Sequence, residues 1–276
     1  MNGGQIKETL KDGGAVFGFM ISASRNGKWA VTLSGGGIDY TIIDTEHAQR
    51  SREELADLVL ILKAYNVSPI IRIPYPVPHY VAMALDAGAD GVLVPYCEDP
   101  QVVRDCVAVK NWHPMKGDYL DRAGNTGVFP SDKTRNYLAE RHKNHTIIIG
   151  IESEPGYQNL EEILKVDGLD AIFIGPNDMS TSLGIPDDYG NQKYWDVIDD
   201  IVKQTEASGR PVMIHQQNIP DSSRAIDAGA RFILHSSDQR LLQQAMQHDF
   251  SALREYTERK LGRSLSIEVE DTVETI

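Results

Sequence analysis

The chain has 276 residues and a formal net charge of −13, from 40 acidic against 27 basic residues. That acid excess argues against nonspecific binding to nucleic acid or to an anionic membrane, because both attract a basic surface. The only cysteines, Cys97 and Cys106, stand at neither CxxC nor zinc-ribbon spacing, so no disulfide framework or thiolate metal site is indicated.

The opening segment "MNGGQIKETLKDGG" has no apolar signal core, and no later stretch approaches the roughly 18 unbroken apolar residues of a membrane span. The expectation is a soluble protein of a reducing cytoplasm. One pattern then recurs: a helix-stop glycine, a few residues, and a short apolar run ending in polar residues, as in "GGGIDYTIIDTEH" and "VDGLDAIFIGPND". These read as helix-to-strand turns feeding buried parallel strands.

Taken in chain order, the first strand is predicted over 15–22. The "GGG" at 35–37 precedes a strand rather than a helix and lacks a following Lys-Ser/Thr, so it reads as a turn and not as a phosphate cradle. The second strand, 39–44, delivers Asp44, Glu46 and His47 at its end. Ser51 and Glu54 then form an S-x-x-E capping box ahead of Leu55, Leu58, Val59 and Leu62, a helix expected to pack outside the strands.

Strand three, 69–73, delivers Arg72, and strand four follows at 91–95. Residues 110–145 are rich in Gly and polar side chains and predict a candidate active-site loop followed by a helix. Strands at 146–152, 170–175, 211–215 and 231–235 complete the series. Strand five ends in Glu152, the loop after strand six carries Asp178, and strands seven and eight end in His215 and His235.

Eight strand-helix units predict a (β/α)8 TIM barrel as one domain over 1–261, with an acidic extension over 262–276. An open doubly wound sheet is the alternative, disfavoured by the absence of a G-x-G-x-x-G fingerprint. In a barrel the carboxyl ends of the strands share one face, where catalytic residues converge.

Glu152 and Asp178, 26 residues apart, are then two oxygen ligands on one face, suited to Mg²⁺ or Mn²⁺. His47 can exchange protons near neutral pH, and Arg72 can only work electrostatically, on a substrate carboxylate or a developing oxyanion. His215 and His235 are left between polar contacts, a second cation site and hydrogen-bonded packing. No predicted strand ends in a lysine, which disfavours Schiff-base chemistry.

These segments resemble a known group, the HpcH/HpaI family of metal-dependent class II 2-keto-acid aldolases, which act on 2-keto-3-deoxy sugar acids and 4-hydroxy-2-oxo acids. The likeness runs through "DTEHAQRS", "PIIRIP", "LDAGADGVLVP", "IESEPGYQNLEEIL" and "GLDAIFIGPNDMSTSLG", across about residues 15–250. It implies that Glu152 and Asp178 hold a divalent metal, Mg²⁺ or Mn²⁺ with Co²⁺ or Zn²⁺ also admitted, which binds a pyruvate-like moiety. It implies that Arg72 contacts the keto oxygen and that His47 forms a dyad with Asp86 near the bond being broken.

The resemblance further sets Asp44 and Glu46 beside the metal's water shell, and brings the Gly175-Pro176 backbone to the substrate carboxylate. It implies a homo-oligomer, commonly a hexamer of dimers that exchange the C-terminal helix, here around 238–261. Three departures bear on substrate choice: Gly150 where relatives often have Gln, Lys116-Gly117 where Arg-Gly is usual, and "LHSSD" closing strand eight.

The expected reaction is reversible aldol cleavage of a 4-hydroxy-2-keto acid to pyruvate, or a pyruvate analogue, and an aldehyde. A Claisen-type enzyme using an acyl-CoA on the same barrel and a noncatalytic keto-acid-binding protein are the alternatives.

Overall fold

The computed structural model describes residues 1–265, and the acidic extension expected over 262–276 lies outside them from residue 266 onward. Helix α1 (Gly3–Lys11) precedes β1 (Val16–Ile21), α2 (Trp29–Ser34), β2 (Tyr40–Asp44), α3 (Arg52–Ala64), β3 (Ser68–Arg72), α4 (Pro78–Asp86) and β4 (Gly91–Val94). Next come α5 (Pro100–Trp112), α6 (Gly117–Thr126), α7 (Asp132–His142), β5 (Thr146–Gly150), α8 (Glu154–Gln158), α9 (Leu160–Leu164) and β6 (Ala171–Ile174). The chain continues through α10 (Pro176–Ser182), α11 (Gln192–Ala207), β7 (Val212–Gln216), α12 (Ile219–Asp227), β8 (Phe232–Ser237) and α13 (Asp238–Leu261). All strands pair in parallel and in sequence order, and β8 returns to β1, closing the (β/α)8 TIM barrel that the eight repeats predict.

Side chains alternate across each strand, so every strand feeds two cores. Tyr40, Ile42, Ile70, Leu93, Ile148, Phe173, Met213, Phe232 and Leu234 fill the barrel, and Ile6 of α1 joins them. Ile43, Ile71, Val92, Val94, Ile147, Ile149, Ile172, Ile174 and Val212 face the surrounding helices. Gly18 has a steric reason to lack a side chain: a Cβ there would sit within 3 Å of the Tyr40 ring and carbonyl. Tyr40 meets Phe232 edge-on at 4.7 Å and donates its hydroxyl to the Ile233 carbonyl at 2.7 Å, so its one polar atom is satisfied inside the core.

Helix α3 begins as its sequence dictates. Ser51 Oγ accepts from Glu54 N (3.1 Å), Glu54 Oε2 accepts from Ser51 N (2.8 Å), and Leu58, Val59 and Leu62 are buried while Leu60 faces water.

The stretch 110–145 departs from the expected loop. It is mostly helix, α6 and α7, lying on α5 through the buried Ala123 and Leu138, with Gly124 against Ala108. A helix laid over another helix needs only a narrow apolar stripe, so its remaining positions read as polar loop. The segment also belongs to the connection entering β5, at the end of the barrel opposite the strand carboxyl ends. Phe129 packs edge-on to Trp112 there, at 4.7 Å.

The last helix, α13, has 24 residues, of which only Asp238 is buried. An apolar groove of about 740 Å³ runs beside its first turns, outside the barrel, between α2 and α12.

Candidate active site

Parallel register sets Asp44 directly beside Arg72 where β2 and β3 end. Their side chains meet as a buried ion pair, Arg72 Nε to Asp44 Oδ1 at 2.8 Å. The same Asp44 oxygen accepts from Glu46 N at 3.0 Å, forming an Asx-turn that aims Glu46 back over the barrel. Glu46 Oε2 then lies 3.0 Å from Arg72 Nη1 and 3.7 Å from His47 Nε2, close by distance but without hydrogen-bond alignment. His47 stands at the rim with its side chain 40% exposed. Burial lowers the proton affinity of Arg72, and Asp44, Glu46 and Glu152 more than offset this, raising its pKa above the ordinary arginine value.

Glu152, two residues beyond β5, is buried, and its Oε1 accepts from Tyr96 N at 2.8 Å. Two glycines flank its carboxylate. A Cβ on Gly150 would collide with Oε1, and one on Gly175 would collide with Oε2, each well under 3 Å away. Burial pushes the Glu152 carboxyl up to about 8, with Glu46 and Asp178 adding to the rise while Tyr96 N and Arg72 oppose it. Burial likewise pushes Glu46 up to about 7, against the pull of Arg72 and with added repulsion from Asp44 and Asp178. Asp178, in the first turn of α10, is half-buried, and its charge reaches both glutamates. Gly175 caps that helix, with Pro176 as its first residue.

Three carboxylates, Asp44, Glu46 and Glu152, therefore act on one guanidinium, which Asp44 already balances, and Asp178 adds a fourth negative charge beside the glutamates. No group of three or more His, Cys, Asp or Glu side chains is arranged to hold a metal among the described residues. The fit rests on the Glu152 pair of oxygens in its glycine cradle, the Asp178 charge beside it, and a surplus of negative charge that only protons or a cation can offset. Hard oxygen donors of this kind suit Mg²⁺ or Mn²⁺ completed by water and substrate.

Within one chain Asp86 is not brought to His47. It closes α4, before β4 begins, and pairs with His113 Nε2 at 2.8 Å at the end of the barrel opposite His47. The carboxylate that faces the His47 imidazole is that of Glu46, at 3.7 Å from Nε2. The two strand-end histidines also part ways. Register pairs His215 with Leu234, a barrel-interior residue, and His235 with Gln216. His215 therefore points inward, toward the charge of Arg72, and burial holds its pKa down to about 4. His235 points outward, bonds Ser222 Oγ at 2.7 Å and lines the outer groove.

Sequence reasoning missed Tyr96, whose backbone N–H holds Glu152 from a left-handed conformation (φ 47°). The polar residues just after "LVP" at the end of strand four were its only signal. It also missed a chamber of about 330 Å³ beside Asp44 and His47, bounded by Met20, Ser22, Arg25, His215, Gln217 and Gln239.

The sequence pattern of the family described as HpcH/HpaI aldolase/citrate lyase matches residues 19–245. A 2-keto-3-deoxy-L-rhamnonate aldolase of Klebsiella pneumoniae is 30% identical over 241 residues, covering 87% of this chain and 90% of its own. A 4-hydroxy-2-oxo-heptane-1,7-dioate aldolase of Salmonella paratyphi C is 29% identical over 241 residues, covering 86% and 89%. The crystal structure of an HpcH/HpaI aldolase from Desulfitobacterium hafniense superposes with a TM-score of 0.79 at 25% identity, covering 91% of this chain and 96% of that one.

Proposed function

This chain belongs to the HpcH/HpaI aldolase/citrate lyase family of carbon–carbon lyases, and we propose that it cleaves a 4-hydroxy-2-keto acid reversibly to pyruvate, or a pyruvate analogue, and an aldehyde. The observation that carries this reading is the meeting of Asp44, Glu46, Arg72 and Glu152 beneath a rim histidine, His47, at the strand carboxyl ends.

Glu152 and Asp178 would hold a divalent cation, Mg²⁺ or Mn²⁺, with Asp44 and Glu46 facing its water shell. When bound, it would polarise the 2-keto group as a Lewis acid. The other tasks fall to side chains. Arg72 spends Nε on Asp44, while its Nη2 meets only the weak acceptor Met20 Sδ at 3.6 Å. That leaves a donor for the oxygen on which charge gathers as the C3–C4 bond breaks. His47 would take the 4-hydroxyl proton, and Glu46 would steady the imidazolium that forms. The electron pair of the broken bond passes through C3 to the keto oxygen, and a proton returned to C3 yields pyruvate. Gly175 and Pro176 would bring backbone close to the substrate carboxylate.

Glu152→Ala or Asp178→Ala should abolish chelator-sensitive cleavage while circular dichroism stays native. Full activity after exhaustive chelation and either substitution defeats the metal assignment.

A homo-oligomer, a hexamer by family likeness, is part of the proposal. Leu242, Met246, Phe250, Leu253 and Tyr256 form an exposed stripe at helical spacing along α13. The groove between α2 and α12 offers a matching apolar bed, which supports reciprocal exchange of this helix between copies. Among the described residues no helix is long and apolar enough to cross a membrane. A cytoplasmic location is proposed on the two free, buried thiols Cys97 and Cys106.

A further inference from the structure

Helix α1 closes only part of the amino end of the barrel, the end opposite the catalytic face. Ile6 and Leu10 pack against the interior core there, and beside them a cavity of about 540 Å³ opens beneath the starts of β5, β6, β7 and β8. Strands such as β5, five residues long and tilted by about 36° to the barrel axis, keep it roughly 13 Å from the catalytic ends. We infer that this cavity is a second binding site, for a small organic acid whose carboxylate meets Arg231 and Lys11 and whose apolar body enters the cavity.

Charge singles this place out. Its lining carries four cations, Lys7, Lys11, Arg210 and Arg231, against two carboxylates, Asp170 and Glu206, a local excess of positive charge on a chain whose formal net charge is −13. Asp170 is already shared between two ammonium groups, Lys7 Nζ at 2.9 Å and the buried Lys110 Nζ at 2.8 Å. Arg210 spends Nε, Nη1 and Nη2 on the carbonyls of Leu169, Ser208 and Val166. Arg231 differs. Its Nη1 donates to the carbonyls of Ile226 and Ala230, both at 3.0 Å, which leaves the edge formed by Nε and Nη2 without a partner among the described residues. That pair of parallel N–H groups is the fork that matches the two oxygens of a carboxylate. Lys11 likewise makes no hydrogen bond or ion pair among the described residues, so its ammonium is available as a second charge at the mouth.

The rest of the lining suits the remainder of such a molecule. Leu10, Leu169, Ala171, Pro211 and Phe232 supply apolar surface, the usual wall of a small-molecule site, with a few placed polar groups to fix orientation. Thr146, also in the lining, is 2% exposed, and its Oγ1 has no hydrogen-bond partner among the described residues. Buried hydroxyls in native proteins are nearly always paired, and the adjoining cavity offers the place for this one's partner. Glu206 sets the limit on charge. Its Oε1 stands 2.7 Å from where a Cβ on Gly229 would sit, and its carboxylate forms no ion pair among the described residues. Its repulsion acts on each negative charge that enters, which favours a monocarboxylate over a dianionic phosphate.

The test is isothermal titration calorimetry of the full chain in Mg²⁺ buffer, with benzoate, its neutral analogue benzamide, and phenyl phosphate as probes. Benzoate should bind saturably and about tenfold more tightly than benzamide, the scale of a charge-assisted hydrogen bond. Arg231→Gln should weaken benzoate about tenfold, and Arg231→Lys, which keeps the charge but loses the fork, should weaken it less. Glu206→Gln should tighten benzoate by about two- to threefold, the scale of an exposed charge pair. Both positions are exposed, so the variants keep the fold, and exchange of pyruvate methyl protons with deuterium should run at the wild-type rate in all three. No saturable binding of benzoate, equal binding of benzamide, or tighter binding of phenyl phosphate overturns the inference. So does benzoate binding that Arg231→Gln leaves unchanged, which would place the acid on another face. The aldolase reading stands or falls separately, since absence of methyl-proton exchange would refute it and leave an Arg231-dependent benzoate site in place.

Discussion

The glycine cradle around Glu152 makes a sharp prediction about Gly175→Ala. Gly175 has φ −87° and ψ 113°, ordinary for alanine, so the substitution adds a methyl group without backbone strain. That methyl would lie 3.0 Å from Glu152 Cδ and 3.2 Å from Cγ, and nearer still to Oε2. Comfortable contact needs about 3.5 Å or more, so the carboxylate must retreat by about 1 Å. The other side offers no room, because Oε1 already fills the space that a Cβ on Gly150 would take, beside Pro95. The bond from Tyr96 N to Oε1 would stretch or break. Overpacking of this kind costs about 1–3 kcal/mol of stability, and a 1 Å misplacement in an active site costs about 10²-fold in rate. We expect Mn²⁺ affinity, measured by the electron paramagnetic resonance of free ion, and kcat/KM to fall by about 10²-fold, with a folded protein by circular dichroism. Gly190→Ala serves as the control, since a Cβ there meets nothing nearer than Asp188 Oδ1 at 3.7 Å. Wild-type Mn²⁺ affinity and turnover in Gly175→Ala would refute the assignment of Glu152 as a tightly held ligand.

Two other outcomes can be measured independently. Burial, followed by the neighbouring His142, holds the His145 pKa down to about 4, below its unfolded 6.5. The unfolded chain then binds the extra proton between those values, so this group's contribution is intact above pH 6.5 and is lost as pH falls toward 4. The loss amounts to about 1–3 kcal/mol. Urea unfolding of His145→Asn should therefore show a flatter decline between pH 6.5 and 4.5 than wild type, and parallel curves would contradict the burial argument. For the oligomer, Met246→Lys with Phe250→Lys should yield a smaller species by sedimentation velocity, by charging the exposed stripe of α13. An unchanged mass would remove that helix from the interface.

Much of this architecture is legible in the sequence. All eight strands fall within one or two residues of their predicted bounds, because parallel strands covered on both faces must be apolar throughout and end abruptly where the chain turns to water. Asp44, Glu46, His47, Arg72 and Glu152 were readable for the same reason, as the first polar residues beyond those runs. Asp86 was not, since a polar residue ending a helix looks alike at either end of a barrel, and only its position before β4 assigns it to the His113 side. The outward turn of His235 was in principle accessible from period-two alternation, once register with Gln216 was known. Gly150 looked like a departure from relatives, and its steric reason emerges only with the Glu152 carboxylate lying across it. The chamber wall left no signature, because Arg50 builds it through backbone carbonyls that any residue can supply.

Asp238 has a further consequence. It opens α13, yet its carboxylate accepts from Ser22 N at 3.0 Å, Ala23 N at 3.2 Å and Ser24 N at 2.6 Å, and Ser22 and Ala23 line the chamber. The helix proposed to exchange between copies is thus joined at its root to the loop that borders the chamber beside His47. Torque on α13 from a neighbouring subunit would be transmitted to that loop through three hydrogen bonds and not through a flexible hinge. On the proposed assembly, turnover should therefore depend on protein concentration across the dissociation range.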